Sequence, residues 1–315
     1  MVDAPVLRIA FFGTPEFAVP TLHALLRSRH PVVAVVSQPD RPKGRGRHVA
    51  PTPVKAVAAD AHIPVLQPER LKDPPFREAF SALQPDLGVV AAYGKILPEW
   101  LIGIPRHGMI NVHASLLPRY RGAAPIQRAL MAGERETGVT IMRIVKELDA
   151  GPMFARVVRE VAPDATGADV DRDLATAGAP LLVDVVDAIA EGRAREDPQD
   201  ETLATYAAKI TPEDSEIRWN RPAWEIHNQV RALGSADCAW TRIDGARVLI
   251  LRTAVEDMQQ AGVPGEIVEA RGDSLRVATP RGVLRILELK PADRRAMSAR
   301  DFLAGHPLSP GTRLT

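Results

Sequence analysis

Short strand-like runs alternate with stretches of helical period along the first half of the chain. The runs are Val6–Phe12, Val32–Ser37, Leu87–Ala92, Met109–His113 and Val139–Val145; between them, apolar residues recur every three or four positions over Pro15–Ser28, Val54–Ala61, Phe76–Leu83 and Ala124–Met131. This rhythm predicts an α/β domain built on a doubly wound parallel (Rossmann-like) sheet. Val32–Val36 and Leu87–Ala92 are apolar throughout, as expected of strands that helices cover on both faces. Leu174, Gly178, Leu181, Val185 and Ile189, with Leu182 and Val186 beside them, predict a long amphipathic helix that closes this half.

The pattern breaks over Gly192–Ser215, which holds many charges and few large apolar residues. A linker over 197–209 is therefore expected, with a domain over 1–196 before it and another over 210–315 after it. In the second part a helix near Ala223–Leu233 precedes short strands punctuated by Asp244–Gly245, Arg271–Gly272–Asp273 and Pro280–Arg281–Gly282. Turn signals roughly ten residues apart predict a small antiparallel sheet or β-barrel. A five-stranded, OB-like barrel is the preferred form, although spacing alone does not separate it from other small barrels.

Composition narrows the classes. The chain has 315 residues, 45% of them hydrophobic, enough for one large core or two smaller ones. Forty Lys and Arg against 39 Asp and Glu exclude a binder that works through overall basicity, so any nucleic-acid contact must come from local patches. Cys238 is the single cysteine, which leaves no intramolecular disulfide and no cysteine-built zinc or iron–sulfur site; a small buried side chain is its plainer reading. The eight histidines show no paired metal-ligand spacing, so no metal is expected. No apolar run approaches the roughly 18 residues needed to cross a bilayer, so a cytoplasmic protein without membrane contact is expected. The 28 prolines are scattered and stiffen loops.

Two stretches carry candidate chemistry. Phe12–Gly13–Thr14 stands where a dinucleotide-binding fold would have its glycine fingerprint, but the second and third glycines are missing and that reading fails. Alternation along Met109–His113 instead directs Asn111 and His113 to one side of a strand at its C-terminal end, where open α/β sheets bind ligands. Alone, His113 reads as a core histidine; the neighbouring amide and the Gly/Pro-rich loop after it favour catalysis. Gln38–Lys55 holds five Lys and Arg against Asp40 alone. Such a segment is either a solvated loop or one that closes on a phosphate backbone.

The segments FFGTPEF (11–17), QPDRPKGRGR (38–47), AYGKILP (92–98), INVHASLLPRYRGAAPIQRAL (110–130), ETGVTIM (136–142), LDAG (148–151), DETLATYAAKI (200–210) and AMSARDFL (296–303) resemble the folate-dependent formyltransferases, and among them the methionyl-tRNA formyltransferase family. The resemblance implies formyl transfer from 10-formyltetrahydrofolate to the amino group of methionine on initiator tRNA, with Asn111, His113 and Asp149 as the catalytic trio. It places the folate against Ser115, Leu116, Leu117, Pro118, Val90 and Tyr93, where a flat pterin would find apolar walls and backbone polar edges. It assigns Arg41, Lys43, Arg45 and Arg47 to tRNA, Arg45 leading, and a further tRNA-binding role to the C-terminal domain. A monomer that needs no metal is expected. Ala114, Ala150 and Pro152 depart from the usual residues of their loops. The residue chemistry agrees: Asn111 and a protonated His113 would stabilise negative charge on the formyl oxygen, and Asp149 would support the imidazolium and accept a proton from the amine. A nucleotide-sugar formyltransferase should lack the GRGR loop and the C-terminal domain; a catalytically idle RNA-binding module should have lost one of the trio, yet all three are present.

Overall fold

In the computed structural model, which describes residues 5–43, 48–234, 237–256 and 262–315, the apolar runs assemble as sheet strands. Those before residue 210 are β1 (Ile9–Gly13), β2 (Val32–Val36), β3 (Arg41–Lys43), β4 (His48–Ala50), β5 (Val65–Leu66), β6 (Leu87–Ala91), β7 (Met109–His113), β8 (Arg121–Gly122), β9 (Glu136–Arg143), β10 (Met153–Glu160) and β11 (Tyr206–Ala207). Seven of them form one sheet in the order β10-β9-β7-β6-β1-β2-β5. From β7 to β5 every pairing is parallel. β1 and β6, buried along their whole length, occupy its middle because only residues without polar side chains tolerate cover on both faces. The doubly wound expectation therefore holds for the core, whereas β9 and β10 run antiparallel at one edge. Their connection, residues 144–152, is too short for a crossover and leaves only the antiparallel return.

The helices of this part of the chain are α1 (Val19–Arg27), α2 (Pro53–Asp60), α3 (Pro74–Ala82), α4 (Glu99–Ile102), α5 (Pro125–Met131) and α6 (Gly167–Ala190). Proline near the first turn of α1, α2 and α3 presets the helical φ where no N–H partner is needed. The 24-residue α6 carries the apolar period seen in the sequence; Gly178 brings it close to Val112 and Val139 of the sheet.

By contacts the chain divides into two units, Met1–Pro125 with Glu136–Glu160 and Asp171–Ala207, and Ile126–Arg135 with Val161–Val170 and Ala208–Thr315. The charged stretch expected as a linker is tied into the first unit by polar bonds, which hydropathy does not register. Asp197 and Met153 exchange two backbone hydrogen bonds of 2.8 Å, and β11 pairs in parallel with β8.

The second unit contains α7 (Pro212–Ser215), α8 (Ala223–Leu233), β12 (Trp240–Ile243), β13 (Ala246–Glu256), β14 (Ile267–Arg271), β15 (Ser274–Ala278), β16 (Val283–Pro291), β17 (Met297–Ser298) and α9 (Ala299–Gly305). Its strands form an antiparallel half-barrel, β12-β13-β16-β15-β14 with β17 on β16. Three tight turns fall where glycine was read as punctuation, at Gly245, Gly272 and Gly282, each with positive φ. Ile250, Ile267, Leu275, Leu284, Ile286 and Phe302 fill the interior. No helix among the described residues is long and apolar enough to cross a membrane.

Candidate active site

β7 presents the chemistry. In its register Asn111 lies beside Val90 of β6 and His113 beside Thr140 of β9, so the two polar side chains share one face at the strand's C-terminal end. Asn111 is half-buried, and its amide has no protein partner among the described residues. His113 is buried, with Nε2 3.0 Å from the Tyr120 carbonyl. A carbonyl only accepts, so Nε2 carries hydrogen and the face of the ring left for chemistry is Nδ1. Nδ1 stands 3.6 Å from Asp149 Oδ2, outside hydrogen-bond reach.

Asp149 sits in a left-handed conformation at φ 48°, which Asp adopts more readily than most residues with a Cβ, and its neighbours fix it there. Those neighbours are visible. The Gly122 N–H donates to Oδ2 at 2.9 Å, and Gln199 Nε2 donates to the carbonyls of Asp149 and Gly151 at 2.8 and 2.7 Å. Gly122 itself is held by β11: at φ 118°, a Cβ there would stand 2.8 Å from the Ala207 carbonyl.

Gln199 is fixed in turn by Arg121, a guanidinium only 1% exposed. Arg121 Nε and Nη2 donate to Gln199 Oε1, while Nη1 and Nη2 grip the Glu201 carboxylate at 2.9 and 2.7 Å. Arg121 holds the Glu201 carboxyl below the usual carboxylate range. Farther along the same strap, Thr205 accepts the Tyr120 N–H through Oγ1 and the Arg121 N–H through its carbonyl. Residues 199–207 thus brace both the carbonyl that faces His113 and the turn that carries Asp149. None of them was singled out as functional from sequence. The available signal was DETLATYAAKI, a family-like motif inside a stretch too poor in apolar residues to be core.

The loop after β7 is equally braced. Ser115 Oγ donates to the Arg119 carbonyl at 2.6 Å; Thr140 Oγ1 donates to the Ser115 carbonyl and accepts the Leu117 N–H. Ser115, Leu117 and Pro118 are buried, Leu116 is half-buried, and Val90 lies buried beside Asn111. Tyr93 is placed differently from its neighbours. Its ring packs edge-on against Phe12 with centroids 5.5 Å apart, and burial pushes the phenol up to about 12. The residue is buried and its carbonyl already accepts from Thr14 and Gln38, so the expected folate contact at Tyr93 is corrected: its ring belongs to the core.

Arg41 is exposed at the start of the β3–β4 ribbon, and Lys43 ends β3. Arg45 and Arg47 lie outside the described residues. Asp40, the one acid of this segment, is engaged by Lys55 and Gln67, which hold its carboxyl below the usual range. The positive surplus therefore falls on residues 41–47.

The class is that of the formyl transferases: the formyl transferase family matches residues 7–186, and its C-terminal domain matches residues 209–307. Over 308 residues, 98% of this chain and 99% of the relative, the sequence is 49% identical to a methionyl-tRNA formyltransferase of Methylococcus capsulatus. It is 44% identical to one of Moorella thermoacetica over 97% of this chain and 98% of the relative. The chain belongs to the methionyl-tRNA formyltransferase family. In fold it resembles an N-formyltransferase of Helicobacter canadensis, solved with folinic acid and dTDP-3-aminofucose, at a TM-score of 0.69 and 17% identity, covering 90% of this chain and 99% of that one.

Proposed function

We propose that the chain transfers the formyl group of 10-formyltetrahydrofolate to the amino group of methionine on initiator methionyl-tRNA, giving N-formylmethionyl-tRNA for translation initiation in the cytoplasm. The observation that carries the site assignment is His113 Nδ1, turned toward Asp149 but beyond hydrogen-bond reach of it, on the same strand face as the amide of Asn111, which has no protein partner among the described residues.

The neutral amine attacks the formyl carbon, a C–N bond forms, and negative charge gathers on the formyl oxygen. Asn111 N–H and the imidazolium Nδ1–H donate to that oxygen. Asp149 stabilises the imidazolium and takes the proton that the amine sheds, directly or through one water. Breaking the bond from the formyl carbon to the folate nitrogen returns a proton to that nitrogen and releases tetrahydrofolate. Gln199 and Arg121 are positioning residues: they keep the Asp149 turn in its left-handed form. Ser115–Pro118 and Val90 wall the pterin. Arg41, Lys43, Arg45 and Arg47 meet tRNA phosphates, Arg45 foremost. The catalytic domain spans 1–196 together with the strap that binds to it up to residue 207, residues 210–315 form the tRNA-binding domain, and the chain acts as a monomer.

The test uses purified protein, charged initiator tRNA and 10-formyltetrahydrofolate. His113→Ala and Asn111→Ala should each lower kcat on the order of a hundredfold or more while folate binding and the melting temperature persist, because their contribution is concentrated in the transition state. Near-normal turnover by either folded variant would refute the assignment.

A further inference from the structure

We infer that Gln67, together with Lys55, is a positioning residue for the tRNA substrate: it locks the root of the β3–β4 ribbon, so that the ribbon's cations stand ready for phosphate before tRNA arrives. The ribbon does not hold its direction by itself. It consists of two three-residue strands joined by three pairs, Arg41 with Ala50, Pro42 with Val49 and Lys43 with His48, and no third strand pairs with it among the described residues. Arg41, Pro42 and Ala50 are exposed, so little apolar burial fastens it. A two-stranded ribbon of that kind is marginal in water.

Its direction is set where its two stems leave the sheet. Ser37, just after β2, and Thr52, just before α2, are both buried, and their hydroxyls share a hydrogen bond of 2.7 Å. Thr52 Oγ1 also accepts the Lys55 N–H and so caps α2. A second tie joins the stems farther out: Lys55 Nζ donates to Asp40 Oδ2 and, at 2.7 Å, to Gln67 Oε1. Gln67, the first residue after β5, donates in turn to the Gln38 carbonyl at 2.9 Å and to Asp40 Oδ1 at 2.8 Å. Gln38 is fastened to the sheet as well. Its N–H donates to Thr14 Oγ1 at 3.3 Å and its Nε2 to the Tyr93 carbonyl at 2.8 Å. The C-terminal ends of β1, β2, β5 and β6 thus converge on the root of the ribbon.

Lys55 is one of the five cations of the 38–55 segment, yet its charge is directed inward at Asp40, and the two side chains are only 31% and 21% exposed. Its partners are protein groups, so it is not a phosphate contact. Gln67 carries no charge. Neither residue adds to the counterions that binding releases; what both supply is order. A ribbon fixed in advance loses less conformational freedom when tRNA binds, and that difference appears as affinity.

This inference rests on the proposed function, and the experiment separates the two. Initiator tRNA is titrated into the full-length protein at several salt concentrations, and formylation kinetics are measured in parallel. Gln67→Met keeps the size and charge of the side chain but removes its three hydrogen bonds. It should raise the Kd and KM for tRNA by roughly threefold or more while the KM for the formyl donor and the slope of log K against log salt stay as in wild type, because the phosphate contacts are the same once made. Arg41→Gln, which removes a contact, should reduce that slope by about 0.7 to 0.9. Should Gln67→Met fail to fold, Asp40→Asn/Lys55→Met breaks the same lock without changing the net charge and carries the same expectation; a phosphate contact by Lys55 would instead lower the slope as in Arg41→Gln. Where Arg41→Gln behaves as expected, a folded lock variant with a wild-type KM for tRNA, or with a reduced slope, overturns this inference alone. An unchanged slope in Arg41→Gln removes the ribbon from the tRNA contacts and the inference with it. A wild-type protein that does not formylate tRNA overturns the proposed function.

Discussion

The strap that holds Asp149 makes the sharpest prediction, because one side chain sits at its centre. Gln199 donates two hydrogen bonds to the Asp149 turn and accepts two from Arg121. At roughly 1 kcal/mol net for each neutral bond, the two donated bonds hold the turn by about 2 kcal/mol. That exceeds what a left-handed conformation costs an Asp, which is less than the 1–2 kcal/mol or so it costs most residues with a Cβ. Gln199→Ala loosens the turn, leaving Asp149 to the Gly122 N–H alone, and kcat should fall roughly 10- to 100-fold, with little change in KM for either substrate. The same change leaves Arg121 Nε, buried, without an acceptor, at a cost of about 1–3 kcal/mol. For a unit of this size the midpoint of melting should drop by several degrees, at about 2–4 °C per kcal/mol.

Gln199→Glu separates the two effects. It keeps an acceptor for Arg121 but sets a carboxylate against two carbonyls, so the melting temperature should recover toward wild type while kcat stays depressed. The assay is steady-state formylation at saturating formyl donor with tRNA varied, beside a thermal melt. If Gln199→Glu turns over at the wild-type rate, the strap is structural only and Asp149 is held by the Gly122 N–H and its own turn.

Stability should also depend on pH through the second unit. Burial, reinforced by nearby Arg231 and opposed by Asp164, lowers the pKa of His227, whose Nδ1 faces Thr253 Oγ1 at 3.0 Å. The folded state then binds a proton less readily than the unfolded one, so this stability is present above roughly pH 6.5 and is lost as pH falls below it. Melts from pH 7.5 to 5.5 should show the decline, and His227→Gln should flatten it; an unchanged slope in that variant would assign the decline to other groups. Truncation tests the strap from another side. A fragment ending at residue 207 keeps Gln199, Glu201 and β11, whereas one ending at 196 deprives Arg121 of its partners Gln199, Glu201 and Tyr206, so the longer fragment should melt higher; equal melting points would show that the strap adds nothing to the first unit.

Local periods were legible before any contact was known. Met109–His113 reads as a strand because its alternation is complete within five residues, and that alternation alone put Asn111 and His113 on one face. The helix Ala223–Leu233 and the three glycine turns of the half-barrel were equally local, set by a 3.6-residue stripe and by positive φ. Asp149 came through resemblance, since nothing in LDAG itself distinguishes a catalytic acid from a turn residue.

Only the fold could decide which distant groups meet. Gln199 acts on a turn about fifty residues earlier in the chain, and Arg121 is neutralised by partners nearly eighty residues later. No period of 2 or 3.6 carries information over such separations, and a polar strap held by hydrogen bonds looks like a linker to any measure of hydropathy. Tyr93 shows the converse. Its sequence neighbourhood suggests a ligand wall, but the direction of its ring is set by Phe12, eighty positions away, which offers the edge-on packing that draws it into the core. Arg242 and Arg247, five residues apart in the chain, likewise face each other only through the pairing of β12 with β13. The chain determines its elements through interactions among neighbours; burial, charge pairing and the site follow from which of those elements the hydrophobic core and the backbone hydrogen bonds bring side by side.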